Sequence, residues 1–334
     1  MQACILSDEE SACGYHRWMF SYRHAFHAGN HADVLKHLTL VATVRHLMRK
    51  DSPLTLIDTH AGAGIYRLDA DAAQTSGEAL DGIGRLQGLA AVENSTSHRT
   101  AESGKAVAPA LADYLGVVAS FNRAPARGAA WRVYPGSPLI MHALMTEPAR
   151  AAVHDRLKLF ELHPTDIQAL EAHVAQLGAG RQVSVARQDG FEALKALLPP
   201  PAAAGSRRAL ALIDPSYEIK SDYAKVGAAV QDALRRFATG VLLLWYPIIA
   251  RPEAHALPRR LKTLAQQADR AWLHASLHIG AAPQKSEGLT ASGMFVINPP
   301  HTLKAALDLA LPQVLQTLGQ DRGAGRAWTV ESGP

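Results

Sequence analysis

From residue 31 to residue 50 the apolar side chains Val34, Leu35, Leu38, Val41, Val44, Leu47 and Met48 recur at steps of three and four. That is the spacing of one helix face, and it predicts an amphipathic helix. Asn30 stands where an N-cap belongs, and Asp33 suits the positive end of the helix. The period then changes. Short aliphatic runs follow at residues 54–58, 157–162 (LKLFEL), 182–188 (QVSVARQ), 210–214 (LALID), 240–246 (GVLLLWY), 272–279 (WLHASLHI) and 293–298 (GMFVIN), separated by helical or turn-forming stretches. Runs without polar alternation suit strands buried on both faces, and strands alternating with helices predict an α/β fold. The expectation is a seven-stranded, mostly parallel sheet with helices on both faces. Residues 65–132 are rich in Ala, Gly and Ser and carry no strong strand pattern, so they are read as a small, mostly helical insertion subdomain. The main domain is then residues 20–64 and 133–334.

Composition adds little beyond class. A chain of 334 residues, 48% hydrophobic and 19% charged, folds as an ordinary globular protein. The longest apolar run, residues 241–250, is interrupted by Pro247 and is too short to cross a bilayer, and no secretory leader precedes it. A cytoplasmic location without a membrane partner is therefore expected. Both cysteines, Cys4 and Cys13, lie near the N-terminus, so no CxxC metal knuckle exists. The net charge of +4 is mild, but its distribution is informative. Between residues 15 and 50 Arg17, Arg23, Lys36, Arg45, Arg49 and Lys50 face the single acid Asp33, with six histidines interleaved. Such an arm fits either phosphate contacts or the solvated face of a helix.

The loop after the first strand, THAGAG, places Gly62 and Gly64 where a doubly wound sheet receives a nucleotide. A dinucleotide fingerprint would need a third glycine at Arg67 and an early ribose-binding acid, and both are missing. A different order is present: Asp58 ends strand one, Glu161 ends strand two, and Asp189-Gly190 follows strand three. This is the layout of a Rossmann-like class I methyltransferase that binds S-adenosylmethionine. In it Glu161 accepts the ribose hydroxyls and Asp189 the adenine amino group.

Strand four ends in Asp214-Pro215-Ser216-Tyr217, similar to the [DNS]PP[YFW] signature of methyltransferases acting on exocyclic adenine amines. The residue types suit that chemistry. An adenine N6 lone pair is delocalised into the ring, and two acceptors, the Asp214 carboxylate and the Pro215 carbonyl, localise it by each taking an N–H. The carboxylate then receives the proton as general base. Tyr217 is expected to stack on the base, which must leave its helix to enter. Ser216 replaces the second proline of the signature, which leaves these groups in place and makes the turn less rigid.

The stretches FSYRHAFHAGNHADVLKH, DTHAGAGIY, YPGSPLI, FELHP, DGF, LIDPSYE, RFATGVLLLWYPI and TASGMFVINPP together resemble the bacterial 23S ribosomal RNA adenine-N6 methyltransferases of the RlmJ family. The resemblance runs from about Phe20 to the last strand. It implies that His37, His60, Ser137, Glu161, Asp189 and Gly190 surround S-adenosylmethionine, that Asp214 is the catalytic proton acceptor, and that Tyr22 and the neighbouring basic helix with Lys36 meet the target adenosine. It also implies a monomer acting on 23S rRNA that is protein-free or partly assembled. Residues 1–19 fall outside the family pattern, which begins near Met19; they are read as an extension, either an upstream start or a flexible tail. His27 and His31 invite a metal reading, but Gly29 and Asn30 break the helix that would align them and no HExxH exists, so no metal is expected. Trp245 and Tyr246 could stand at the cleft, but aromatics near the end of an apolar strand read first as core.

Two rivals stand beside this reading. One is the same chemistry on adenine in DNA. The other is a nonenzymatic RNA-binding protein with a vestigial cofactor pocket, to which Ser216 alone points.

Overall fold

A computed structural model describes residues 24–93, 106–122, 129–280, 289–319 and 326–334. The N-terminal extension and Tyr22 lie outside these described residues. The chain opens with helix α1 (His31–Leu47) and strand β1 (Thr55–Asp58). Strand β2 (Ile65–Arg67), helices α2 (Asp71–Ser76), α3 (Arg85–Glu93) and α4 (Pro109–Ser120), and strand β3 (Val133–Pro135) follow. Then come α5 (Ser137–Met145), β4 (Arg156–Phe160), α6 (Pro164–Gln176), β5 (Val183–Ala186), α7 (Gly190–Leu197), β6 (Ala209–Ile213), α8 (Ser221–Arg236) and β7 (Val241–Pro247). The chain closes with α9 (Pro252–Gln267), β8 (Trp272–Ile279), β9 (Ala291–Ile297), α10 (Leu303–Leu318) and β10 (Arg326–Gly333).

The main sheet has eight strands in the order β10-β8-β9-β7-β6-β1-β4-β5. All seven expected strands are present and the fold class holds. The eighth, β10, pairs antiparallel along the whole of β8. Its sequence, RAWTVESG, lies at a sheet edge and holds only Ala327, Trp328 and Val330 as apolar side chains, with no aliphatic run, which is why hydrophobic patterning overlooked it. Only β9 and β10 run against the others. Strand β6 shows how the sheet is held: Leu210 and Leu212 enter the core on one face, while Ala209, Ala211 and Ile213 enter the core on the other. A five-residue aliphatic run is what a strand covered on both faces requires. β2 and β3 form a separate antiparallel ribbon, and α2, α3 and α4 lie between its two strands in sequence.

Helix α1 departs from the amphipathic expectation. Asn30 caps it as predicted, accepting the N–H groups of Ala32 and Asp33 at 2.9 and 3.0 Å. However, its residues are buried from His31 to Val41 without interruption, because β8 and β9, α4, α5 and α10 enclose it. The basic arm is altered accordingly. Lys36 is buried, Arg45 pairs with Glu147, and Arg49 and Lys50 remain exposed just past the helix.

Candidate active site

The ends of β1, β4 and β6 bring two carboxylates and a glycine loop together. Register aligns Asp58 with Leu159 on β4 and with Leu212 on β6. Glu161 and Asp214, each two residues further along, therefore leave the sheet at the same edge as the loop that follows Asp58. This is the crevice in which open α/β sheets bind ligands.

Glu161 clasps the loop. Its Oε2 accepts the Gly62 N–H at 2.8 Å and its Oε1 accepts the His163 N–H at 2.7 Å. Burial raises the Glu161 carboxyl, against the pull of these N–H groups. Gly62 has φ +58, and a Cβ there would stand 2.3 Å from the Tyr66 hydroxyl, so no other residue fits. The cavity beside this clasp is lined by His37, His60, Gly62, Ser137, Glu161, Asp214 and Pro215, all expected at the site. His24, Tyr66, His163, Asp166, Ser216, Glu218 and Trp245 also line it.

Four expected residues do not line the cavity. Gly64 closes the β2–β3 ribbon by accepting the Gly136 N–H at 2.8 Å. Asp189 caps α7, accepting the Phe191 and Glu192 N–H groups at 2.8 and 3.3 Å. Gly190 lets α7 meet the first loop, since a Cβ there would fall 2.1 Å from the Thr59 carbonyl oxygen. Lys36 does not reach a substrate surface: its ammonium lies 2.6 Å from Asp214 Oδ2 and 2.8 Å from Asp33 Oδ1. Burial alone would strip its charge, yet the two carboxylates hold it well above the usual lysine range. Asp33 in turn meets His24 Nε2 at 2.9 Å and the Gly29 N–H at 2.8 Å.

Tyr217 departs furthest from its expected place. Its backbone adopts φ +54, a conformation costly for a bulky residue, and this turns the ring into the core. There its hydroxyl donates to the Trp245 carbonyl at 2.7 Å, and Arg251 Nη1 donates to the Tyr217 carbonyl at 3.1 Å. The turn holding Asp214 is thus stiffened by a buried ring and a guanidinium, with Ser216 exposed at its tip. Trp245, half-buried on β7, takes the aromatic position on the cavity wall, whereas Tyr246 is buried and bonded to His274 at 2.7 Å.

Burial also sets protonation. It pushes His37 down to about 3 and His60 down to about 4, so both rings are neutral near pH 7. His37 Nδ1 shares a hydrogen with the Tyr134 hydroxyl at 2.7 Å, while its Nε2 has no partner among the described residues. Asp58 is pushed up to about 7 by burial, opposed by Ser137 and by the His60 N–H, and its Oδ2 is likewise unpartnered. No group of three or more metal-ligating side chains suited to an ion exists among the described residues.

The family model described as ribosomal RNA large subunit methyltransferase D, RlmJ, matches residues 51–330. The chain belongs to the RlmJ family. Its RlmJ-family relatives include the ribosomal RNA large subunit methyltransferase J of Escherichia coli K12, 40% identical over 88% of this chain and 92% of that protein. The Haemophilus influenzae protein of the same name is 37% identical over 94% and 98%. A crystal structure from Legionella pneumophila superposes with a TM-score of 0.72 at 31% identity, covering 92% of this chain and 98% of that one. Sequence reasoning missed Asp33 and His24 as parts of one site and ranked Trp245 first as core. Asp33 lies three residues before Lys36 on the same helical face, a signal that was available. The place of Trp245 depends on where Tyr217 turns, which no local pattern announces.

Proposed function

We propose that this protein transfers the methyl group of S-adenosylmethionine to the exocyclic N6 of an adenine in 23S ribosomal RNA. The observation that carries the reading is that Asp214 and Pro215, the groups able to hold an amine, share one cavity with the Glu161–Gly62 clasp. Membership of the RlmJ family supports both the reaction and an rRNA substrate.

The residues fit the methyl donor. Asp58 Oδ2 and His37 Nε2, both buried without a partner among the described residues, suit the ammonium and carboxylate of an amino-acid end. Glu161 keeps lone pairs for ribose hydroxyls beside the two backbone N–H groups it already accepts. The donor supplies an electrophilic methyl carbon on a sulfonium. For its part the protein makes the amine nucleophilic. Asp214 and the Pro215 carbonyl each accept an N6 hydrogen, and Asp214 takes the proton as the nitrogen gains its fourth bond. Lys36 orients that carboxylate, and Asp33 holds the ammonium through the proton transfer. Trp245 offers its ring to the unstacked base. The anchoring of Tyr217 compensates for Ser216, which argues against a vestigial pocket. In this reading the substrate is 23S rRNA in protein-free or partly assembled form, the enzyme is a cytoplasmic monomer, residues 65–132 form the insertion subdomain, and Tyr22 contacts the target adenosine.

The test is transfer of labelled methyl from S-adenosylmethionine to protein-free 23S rRNA from cells lacking this gene, followed by nucleoside digestion. Labelled N6-methyladenosine that disappears with Asp214→Ala is the expected result. Label on adenine in DNA and none on RNA, or no transfer to either, would sink the proposal.

A further inference from the structure

The cavity presents an electrostatic difficulty for a polyanion. Glu161, Asp166, Asp214 and Glu218 line it, and among the described residues no lysine or arginine does. Lys36, just behind the wall, is neutralised by two carboxylates. Attraction of an RNA backbone must come from cations outside the cavity, because phosphate contacts supply most of the sequence-independent affinity.

The β2–β3 ribbon carries such a group outside the cavity. Its inner end is fixed at the site, where the Gly136 N–H donates to the Gly64 carbonyl at 2.8 Å and the Tyr66 hydroxyl accepts the Ala63 N–H at 3.1 Å. Three residues out, about 10 Å at the rise of a strand, Arg67 and Arg132 converge on Asp69. Arg67 Nε and Nη2 donate to the two Asp69 oxygens at 2.9 and 3.1 Å; Arg132 Nε and Nη2 donate to Oδ2 at 2.9 and 2.6 Å. One carboxylate between two guanidiniums leaves a net positive charge. Both side chains are strongly exposed, 66% and 73%, and neither Nη1 forms a hydrogen bond within the described residues. The two arginines hold Asp69 well below the usual carboxylate range, so the fork persists at any physiological pH. A second acid shared by two arginines, Asp232 with Arg235 and Arg236, lies at the C-terminal end of α8, the far end from the Asp214 turn.

We infer that Arg67 and Arg132, held side by side by Asp69 at the outer end of the ribbon, bind the phosphodiester backbone of the RNA segment flanking the target adenosine. Planar guanidiniums with free edges match phosphate oxygens bidentately. The inference rests on the RNA reading of the active site and adds the surface that recognises the strand.

The test compares the unaltered protein, the double variant Arg67→Gln/Arg132→Gln, and Asp69→Asn. The salt dependence of the Kd for protein-free 23S rRNA is measured for each by filter retention, beside kcat and KM for methyl transfer. The double variant should lose about 0.7–0.9 of log–log salt slope per phosphate contact removed. Its KM for RNA should rise roughly tenfold near 0.15 M salt, with kcat and S-adenosylmethionine affinity unchanged, as expected for loss of uniform binding. Asp69→Asn keeps both guanidiniums and removes the acid, so RNA binding should stay equal or tighten. An unchanged slope and KM in the double variant would overturn the inference. So would an Asp69→Asn protein weakened as much as the double variant, because the trio would then be only a staple for the ribbon. Failure of the unaltered protein to methylate RNA would strike the parent reading instead, and the binding arm would still report on the fork.

Discussion

An aromatic ring stacked on an unpaired base contributes roughly 1–3 kcal/mol, and in the proposed reading Trp245, on the cavity wall, provides it. Trp245→Ala is expected to raise the KM for RNA by about 10- to 100-fold, in line with that range, while leaving S-adenosylmethionine affinity within about twofold; steady-state transfer and equilibrium cofactor binding measure the two. Tyr217→Phe tests the other aromatic. It removes one buried hydrogen bond to the Trp245 carbonyl, an interaction contributing about 1 kcal/mol, and should lower folding stability by about that amount with a modest loss of kcat as the Asp214 turn loosens. The reverse pattern, with Tyr217→Phe unaffected in stability and Trp245→Ala fully active, would return the base contact to Tyr217. Both residue types were legible as candidates in DPSY and LLLWY. Their exchange of places was not, because it follows from the positive φ of Tyr217, a cost that the surrounding core sustains.

At the scale of the element, α1 is a helix whose ends are set locally and whose middle is set by everything around it. The Asn30 cap and the apolar spacing are local, and both were visible in the sequence. Burial on every side is not local: it arises because the sheet covers one flank while α4, α5 and α10 cover the others. This burial turns Lys36 from an expected phosphate or substrate contact into the shared partner of Asp33 and Asp214. Removing one member of a buried ion network leaves uncompensated charge and typically costs 3–5 kcal/mol. Lys36→Met is therefore expected to destabilise the fold by about that much in denaturant unfolding. Adding Asp33→Asn should recover part of the loss, because one orphaned carboxylate is gone. Methyl transfer should not recover with it, since Asp214 still lacks its ammonium. Equal stability of the single and double variants would show that Asp33 and Lys36 are not coupled.

For the molecule as a whole, folding is linked to the proton on Asp58. Its carboxyl is raised to about 7 by burial, from an ordinary value of 3.8, so the folded state binds this proton more tightly than the unfolded chain. The resulting stability is complete below about pH 4 and is lost as pH rises through about 7. A shift of that size corresponds to at most about 4 kcal/mol. Without cofactor, Asp58→Asn should thus unfold at a higher temperature than the unaltered protein at pH 8, and the difference should shrink steadily between pH 7 and pH 4; a constant difference would refute the linkage. The same substitution should weaken S-adenosylmethionine binding, since the carboxylate that burdens the empty fold is the acceptor proposed for the donor's ammonium. Strand order along the chain, the α/β class, the cap of α1 and the placing of Asp214 and Glu161 just past strand ends were open to reading from residues alone, because aliphatic runs, N-caps and strand-end acids are local patterns tied to local causes. The eighth strand, the enclosure of Lys36 and the turn of Tyr217 were not. Each depends on which surfaces the sheet brings into contact, and burial, which fixes charge and orientation there, is a property of neighbours distant in sequence.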